Sequence, residues 1–583
     1  MSRKAPVRTL TDSREILMPK KPVSKPWEVD EERRKFLKSS AAIASGMALS
    51  SFPTHAGARQ AASTDKAYDP EAARVTRSQW GRPNLLILIT DQERYPQHWP
   101  PGWADKYLPN RRRLARHGLT FTQAFCASAM CTPSRATLFT GLYPSEHGVD
   151  QTLRYSTGPN ATCQNTLQIR TQNMAKMLEA AGYNVQYRGK WHVSKDPSGT
   201  GEITKTEHLD IYHFNGWVPP EGGADQNPSG FGGGNTNYDK WYTSHAVDFL
   251  KKVSTYSSKP FALIVCLINP HDVMAYPGNP QGTGWNGQLS DVFPGNNYCN
   301  VDLSAYPLNL IELPPNITDP QDDKPTAQSQ STEFWNDQLG VISDQIEYVR
   351  FYAYLHMVSD KHIGTVLDAL ESRPALHYNT LVFRFSDHGE MGLSHNMRQK
   401  AYNAYEETIH VPLVVSNPRL FPEPAQTSAL ASLIDLMPTL ATIADIPDRE
   451  KYTFRGTDLT PIILDAINDP TTPSKPVQDS ILFTTDENLG SLQVDNNGNP
   501  IYVTQPYRIR CLRDEQWKIV MYFDPTDMNN KQFELYDLVS DPLEQYNQAQ
   551  SNPEQLAIMI EKLSIKMEET HTTPAYDTGT SIL

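Results

Sequence analysis

Cysteine is scarce in this 583-residue chain. Six scattered cysteines are too few for a disulfide framework of the kind that replaces a hydrophobic core in small domains. None has the Cys-x-x-Cys spacing that is typical of zinc and redox sites. The sequence permits a single disulfide but does not say which residues would form it. The six are Cys126, Cys131, Cys163, Cys266, Cys299 and Cys511.

Long apolar runs and an excess of positive charge are also missing. No stretch approaches the roughly 20 apolar residues that a membrane-spanning helix needs, so we expect no membrane span. Lys and Arg number 53 against 66 Asp and Glu, which gives a formal net charge of -13. A chain this acidic is a poor partner for nucleic acid or an anionic membrane surface. Any anionic substrate must therefore be attracted by a local cluster of cations.

The first 58 residues differ in composition from the rest of the chain. A basic segment ends in Glu-Arg-Arg-Lys-Phe-Leu-Lys at residues 32–38, and a weakly apolar stretch then leads to Ala-Gly-Ala at residues 56–58. This order resembles a twin-arginine export signal with cleavage after Ala58. The alternative is a basic tail with a short amphipathic helix. We expect a signal peptide at 1–58, a linker at 59–80, and a mature protein that is periplasmic or secreted.

Four short strand-like segments end in polar residues of the kind found at functional sites. Three are mainly apolar runs, at residues 84–90, 261–268 and 381–386, and the fourth lies at 184–188. Short continuous runs are typical of parallel strands buried on both faces. In open α/β sheets, ligands bind beyond the carboxyl ends of the strands. The pattern predicts an α/β domain at 81–475, with a large, mostly parallel sheet flanked by helices and one site at its edge.

The C-terminal part of the chain has a different pattern. Segments typical of β-strands at 481–484, 507–510 and 517–522, followed by a helical stretch at 553–569, predict a smaller antiparallel α+β subdomain at 476–583. Two segments, 219–237 and 276–335, are rich in residues such as Gly, Asn and Pro, which predicts loops. Long loops inside an enzyme often shape the substrate entrance. A surface excursion without a function is the alternative for each.

One cysteine lies in a sequence that suits neither a disulfide nor a buried core position. Cys-Thr-Pro-Ser-Arg begins at Cys131, and Leu-Phe-Thr-Gly follows at residues 138–141. This pattern resembles the signature of the type I sulfatases of the alkaline phosphatase superfamily, in particular the arylsulfatases, in which that cysteine is oxidised to formylglycine. The resemblance extends from about residue 82 to 547 and includes Glu-Leu-Tyr-Asp-Leu at 534–538. It implies the sulfatase fold and hydrolysis of a sulfate monoester.

A formylglycine at position 131 would explain how such an enzyme regenerates itself. One hydroxyl of its hydrate attacks sulfur, and after the alcohol departs the other collapses to a carbonyl and expels sulfate, which divides one difficult step into two. The resemblance also implies a partner, either a formylglycine-generating enzyme or an anaerobic sulfatase-maturating enzyme. With Cys131 converted, five cysteines remain, so at least one stays unpaired.

The resemblance assigns a divalent-cation site as well. Asp91, Asp387 and His388 match the family's ligands, and residue 131 completes the shell. Gln92 stands where many members have a second aspartate, and it can coordinate through its amide oxygen. The family implies calcium. An imidazole, which replaces the usual asparagine at 388, favours manganese or zinc, so manganese is the alternative.

The other expected site residues are cationic or transfer protons. By the resemblance, Arg135 holds the gem-diol with its guanidinium fork, and His192 orients it or takes a proton from it. Lys190 bridges the nucleophile and sulfate. His271 contacts sulfate and protonates the leaving alcohol, while Lys400 contacts sulfate and the leaving oxygen.

Two other functions stay open. A phosphonate monoester or phosphodiester hydrolase of the same superfamily shares the formylglycine and often has the Asp, Gln, Asp, His metal set, which matches Gln92 and His388. A non-catalytic protein that binds sulfated glycans is the second alternative, against which the complete set of cationic residues argues. The sequence does not identify the physiological substrate, which is either a small-molecule or a glycan sulfate ester.

Overall fold

The structure is a computed structural model that describes residues 81–153, 164–197, 201–224, 230–233, 237–255, 257–276, 303–488 and 503–575. The expected signal peptide and linker, residues 1–58 and 59–80, lie outside the described residues, as do Cys163 and Cys299. The other four cysteines are free thiols. No helix in the described ranges is both long and apolar enough to cross a membrane.

The strands form one large sheet, one four-stranded sheet and one small pair. In chain order they are β1 (Asn84–Asp91), β2 (Gly118–Phe121), β3 (Ala124–Phe125), β4 (Asn184–Gly189), β5 (Phe261–Pro270), β6 (Thr380–Ser386), β7 (Leu413–Ser416), β8 (Ala425–Thr427), β9 (Ala431–Ser432), β10 (Ser480–Thr485), β11 (Arg508–Asp514), β12 (Trp517–Asp524) and β13 (Asp527–Asp537).

The described α-helices surround these sheets. They are α1 (Trp103–Tyr107), α2 (Pro109–Arg116), α3 (Cys131–Thr140), α4 (Pro144–His147), α5 (Met174–Ala180), α6 (Glu207–Asp210), α7 (Tyr238–Lys252), α8 (Thr326–Leu339), α9 (Gln345–Glu371), α10 (Pro374–Tyr378), α11 (Glu406–Ile409), α12 (Leu436–Ala444), α13 (Thr460–Asn468) and α14 (Pro553–Glu569).

The large sheet has seven strands in the order β4-β5-β1-β6-β7-β2-β8. The pairs β4 with β5, β5 with β1 and β1 with β6 are parallel, whereas β7 runs antiparallel to both β6 and β2. β1 is buried along its whole length. Leu86 and Leu88 pack in the same cluster as residues of α7 and α9, and Leu85, Ile87 and Ile89 pack on the other face with residues of α5 and α12. The prediction of a mostly parallel sheet flanked by helices is therefore confirmed.

The C-terminal sheet is antiparallel throughout, in the order β10-β11-β12-β13. α14 packs against β11 and β12 through apolar residues such as Met559 and Leu563. The predicted antiparallel architecture of this part is also confirmed. Residues 534–537 of the Glu-Leu-Tyr-Asp-Leu sequence lie in β13.

One predicted loop contains a helix. Residues 276–335 were expected to lack regular structure, yet Thr326–Leu339 forms α8. The many Gln, Ser and Thr residues in this segment hide its apolar positions. Ala327, Phe334 and Leu339 are nevertheless buried in the main core, so tertiary packing stabilises a helix that composition does not favour.

Candidate active site

Polar residues from four neighbouring strands meet at one edge of the large sheet. Asp91 is the last residue of β1, and Lys190, His271 and Asp387 directly follow β4, β5 and β6. These four strands are adjacent and parallel, so their carboxyl ends lie side by side. All four side chains are buried.

Cys131 is the first residue of α3 and faces this edge. Its Sγ lies 3.2 Å from His388 Nε2 and 3.7 Å from Asp91 Oδ1. One turn later, Ser134 Oγ donates to the Asp387 carbonyl at 2.6 Å and attaches the helix to the end of β6. The N-terminus of a helix favours negative charge, which suits a site that binds an oxyanion.

Arg135 connects three of the converging segments. Its Nε lies 3.0 Å from Asp387 Oδ2, and one terminal nitrogen lies 3.5 Å from Asp91 Oδ2. The other terminal nitrogen donates to the Lys190 carbonyl at 3.0 Å. The planar guanidinium therefore fixes both carboxylates and the start of the Lys190 segment at once.

A tight backbone contact positions Lys190. The preceding residue, Gly189, has φ of +106°, and a Cβ added there would lie 1.9 Å from the Cys266 carbonyl oxygen. Only glycine fits this position. The Lys190 side chain then reaches Asp91, with its Nζ 2.5 Å from Oδ2.

Two histidines approach Cys131 from different segments. The backbone N–H of His192 donates to Glu221, and its Nε2 lies 2.8 Å from the Leu153 carbonyl. A carbonyl only accepts, so Nε2 carries the proton there and Nδ1 is left as the acceptor. The His192 and His271 side chains both interact electrostatically with the Cys131 thiol.

Gln92 and Lys400 form the remaining side of the cluster. Lys400 Nζ donates to Gln92 Oε1 at 2.5 Å, and the Gln92 backbone N–H donates to Asp387 Oδ1 at 3.2 Å. The structure thus joins all ten sequence-predicted residues in one network. They are Asp91, Gln92, Cys131, Arg135, Lys190, His192, His271, Asp387, His388 and Lys400.

The charges of this network act on Cys131 and Asp91. Burial alone raises the pKa of the Cys131 thiol, but the positive charges of Lys190, Lys400 and His388 outweigh it and hold the pKa well below its usual value. Burial also raises the pKa of Asp91, and here Lys190 and the two site histidines 271 and 388 bring it down to about 2. The cluster therefore stabilises negative charge although the whole chain is acidic.

Three of these side chains fit a metal ion. Donor atoms of Asp91, Cys131 and His388 all lie within 4.8 Å of one another, and all three residues are buried. Asp387 Oδ2 lies 3.0 Å from Arg135 Nε but accepts no hydrogen bond of good geometry within the described part of the chain. Such a buried carboxylate oxygen is suited to a cation, and a carboxylate-imidazole set suits a divalent one.

Sequence reasoning assigned no role to two further carboxylates at this site. Glu221 holds the backbone of His192, and Glu390 accepts a hydrogen bond from Gln92 Nε2 at 2.5 Å. Glu390 belongs to the polar Asp-His-Gly-Glu sequence after β6, which was a signal for its placement but not for its contacts. Glu221 lies in the segment that was expected to be a loop, and no signal marked it.

Comparisons with known proteins identify the family of this chain. The family model described as Sulfatase matches residues 83–446. The chain is 25% identical to arylsulfatase K of Canis lupus familiaris over 494 residues, which cover 83% of this chain and 82% of the relative.

Solved structures share the fold. A 2-O GAG sulfatase superposes with a TM-score of 0.60 at 20% identity and covers 84% of this chain and 93% of its own. The phosphonate monoester hydrolase of Agrobacterium radiobacter superposes with a TM-score of 0.56 at 19% identity and covers 84% and 96%. With the family model matching more than half of its length, the chain belongs to the sulfatase family, whose members are sulfuric ester hydrolases.

Proposed function

We propose that this protein hydrolyses a sulfate monoester to an alcohol and inorganic sulfate, with residue 131 converted to formylglycine and a divalent cation at the site. The observation that carries the proposal is the position of Cys131. It begins α3 among two carboxylates and six cationic or imidazole side chains, and His388 Nε2 lies 3.2 Å from its Sγ. A structural cysteine needs no such surroundings, whereas a nucleophile for an anionic ester does.

The cationic residues supply the electrostatic part of catalysis. Lys190 and Lys400 both act on position 131, since both lower the pKa of Cys131. Charges that face a developing oxyanion in a buried site stabilise the transition state more strongly than they would in water. In this proposal the two lysines bind the sulfuryl oxygens, and Arg135 positions residue 131 relative to the two carboxylates.

The two histidines supply proton transfer. His192 acts on residue 131, and the Leu153 carbonyl engages its Nε2, which leaves Nδ1 as the ring nitrogen for proton transfer. It can therefore accept the proton when the second hydroxyl of the hydrate collapses. Burial lowers the pKa of His271 to about 4, with Lys190 adding to the effect. A ring with this pKa is neutral near pH 7, so in the proposal His271 donates a hydrogen bond from its N–H to the leaving alcohol.

The cation is assigned to Asp91, Gln92, Asp387 and His388, together with residue 131. When bound, it polarises the sulfuryl group and neutralises its charge. The family resemblance favours calcium, and the imidazole of His388 makes manganese the alternative.

The remaining parts of the proposal concern the maturation, export and substrate of the protein. A formylglycine-generating or anaerobic sulfatase-maturating enzyme converts Cys131, and the twin-arginine signal then exports the folded protein to the periplasm or the medium. The substrate is a small-molecule or glycan sulfate ester. Glycan substrates draw support from a fold shared with a 2-O GAG sulfatase.

Phosphonate monoester hydrolysis is the second candidate. Gln92 in place of an aspartate and His388 in place of an asparagine favour it, as does the shared fold with the Agrobacterium radiobacter enzyme. The same cationic cluster would bind a phosphonate oxyanion.

A direct comparison of rates tests the two candidates. The full chain is co-expressed with a formylglycine-generating enzyme and assayed on 4-nitrophenyl sulfate, on a panel of sulfated sugars and on phenyl phosphonate monoester. A higher kcat/KM on a sulfate ester supports the proposal. A clear preference for the phosphonate replaces it with the second candidate, and binding of sulfated glycans without sulfate release supports the non-catalytic alternative.

A further inference from the structure

Glu390 is a buried carboxylate to which the proposed reaction gives no role. Its side chain is fully buried. Oε2 accepts a hydrogen bond from Gln92 Nε2 at 2.5 Å. Oε1 accepts three more, from the Tyr348 hydroxyl at 2.9 Å and from the backbone N–H groups of Gln399 at 2.9 Å and Gly392 at 3.1 Å. With donors fixed at both oxygens, the carboxylate is held in one orientation.

The Gln92 amide lies between this carboxylate and an ammonium group. Its Nε2 donates to Glu390, and its Oε1 accepts from Lys400 Nζ at 2.5 Å. A carboxylate only accepts hydrogen bonds and an ammonium only donates them. Only one of the two amide orientations therefore makes both bonds. A flipped amide would place NH2 against the ammonium and oxygen against the carboxylate.

The Gln92 backbone is held by contacts that do not involve Glu390, so Glu390 acts on the side-chain amide. The Gln92 backbone N–H donates to Asp387 Oδ1, and its carbonyl accepts from the Tyr352 hydroxyl at 2.7 Å. The side chain of Gln399 offers a weaker partner, since its Oε1 lies 3.4 Å from Gln92 Nε2. This distance is too long for it to replace Glu390.

We propose that Glu390 is a positioning residue that keeps the Gln92 amide oxygen turned toward the active site and thereby sets the affinity of the site for its divalent cation. The inference rests on the proposed function, in which the Gln92 amide oxygen is a ligand. Partners that orient a metal ligand commonly change metal affinity or activity by about 10- to 100-fold when they are removed.

The substitution Glu390→Gln makes a specific prediction because of the donors around residue 390. Three donors, including two backbone N–H groups that cannot accept, surround Oε1, so the new amide oxygen must stay there. The new NH2 then faces Gln92. Gln92 then lies between two donors, the new NH2 and the Lys400 ammonium, so neither amide orientation makes both hydrogen bonds and the orientation that the cation needs is no longer fixed.

A double-mutant cycle tests this mechanism. A glutamate at position 92 has two equivalent oxygens, so it has no wrong orientation. Glu390→Gln should therefore raise the Kd of the chelator-treated protein for Mn²⁺ or Ca²⁺ about 10- to 100-fold in the Gln92 background. In the Gln92→Glu background the same substitution should cause no loss, or should strengthen binding, because it removes the repulsion between two carboxylates.

Calorimetric titration of the metal alone is the primary readout, and kcat on a sulfate ester is the second. Glu93→Gln is the matched control. Glu93 is a buried carboxylate whose side chain contacts Arg111 and Arg384 rather than the Gln92 amide, so its loss should lower the melting temperature and leave the metal Kd unchanged.

The outcomes separate this inference from the proposed function. If the unsubstituted protein binds neither cation and hydrolyses no ester, the proposed function fails. If it binds a cation and Glu390→Gln leaves the Kd unchanged, or weakens binding equally in both backgrounds, Glu390 does not orient Gln92.

Discussion

Arg135 Nε lies 3.0 Å from Asp387 Oδ2, and both side chains are inaccessible to solvent. The pair joins the first turn of α3 to the end of β6, two segments that are far apart in the chain. A buried ion pair with a single remaining partner leaves an uncompensated charge, which is strongly unfavourable. This contact therefore holds the candidate nucleophile against the candidate metal ligands.

Substitutions of Arg135 should separate the effect of its positive charge from the effect of its planar guanidinium group. Arg135→Lys keeps the positive charge but loses the planar fork that contacts Asp387, Asp91 and the Lys190 carbonyl. We expect Arg135→Lys to lower kcat about 100-fold or more. Arg135→Met, which also removes the charge, should lower the unfolding free energy by about 3–5 kcal/mol, the cost of breaking a buried pair. Steady-state kinetics and denaturant unfolding measure the two effects.

Arg384→Lys is a matched control for that substitution. Arg384 is also a buried arginine, and it pairs with Glu93 rather than with a site residue. Its replacement should lower stability with little change in kcat. Unchanged kcat in Arg135→Lys would show that the fork is not needed for turnover.

Gly189 should tolerate no side chain. Gly189→Ala would bring a Cβ to 1.9 Å from the Cys266 carbonyl oxygen and so displace Lys190 or open the sheet edge. We expect a loss of about 3 kcal/mol or more in unfolding free energy, together with a loss of activity.

Gly148→Ala provides the comparison, because Gly148 has φ of +77° with nothing within 4 Å of an added Cβ. Only the left-handed backbone opposes that change, at about 1–2 kcal/mol. Equal losses at the two glycines would contradict the steric explanation for Gly189.

The strand ends, the contacts of Glu390 and the helix α8 show which features the sequence can and cannot predict. The strand ends were predictable, since each apolar run stops where a polar residue must face the site. The structure confirms the parallel sheet and extends β1 only by Asp91. Contacts such as Glu390 with Gln92 were not predictable, because they depend on side-chain directions after the strand ends. The helix α8 was missed because Phe334 and Leu339 stand among polar residues whose burial depends on the rest of the fold.

Metal removal should both inactivate and destabilise the protein. A cation present at 100 times its Kd stabilises the folded state by about 2.7 kcal/mol, which is lost on chelation. We expect a lower melting temperature after chelator treatment, and recovery of both properties on addition of calcium or manganese. Full activity in protein shown by elemental analysis to be metal-free would exclude the proposed site.

Because of His147, the free energy of unfolding should decrease in mild acid. Burial lowers its pKa to about 3, from an ordinary 6.5. The Val149 N–H donates to its Nδ1 at 3.1 Å, so the folded state requires a neutral ring. The unfolded state binds the additional proton between these two pKa values, and stability therefore decreases as pH falls below 6.5.

The expected slope from this one histidine approaches about 1.4 kcal/mol per pH unit near pH 5. His147→Asn keeps an acceptor for the Val149 N–H without a titrating ring. Urea unfolding of both proteins from pH 7 to pH 5 should show a smaller pH dependence in the variant. Identical slopes would mean that His147 is not held neutral.

The most direct measurement compares turnover with the chemical state of residue 131. Preparations made with different amounts of a formylglycine-generating enzyme are analysed by mass spectrometry of the peptide containing residue 131 and assayed on the same sulfate ester. We predict that specific activity rises in proportion to the fraction of formylglycine and is lost by at least about 1000-fold in Cys131→Ser, while Cys126→Ser stays active. Full activity in protein whose Cys131 is entirely unmodified would contradict the proposed mechanism.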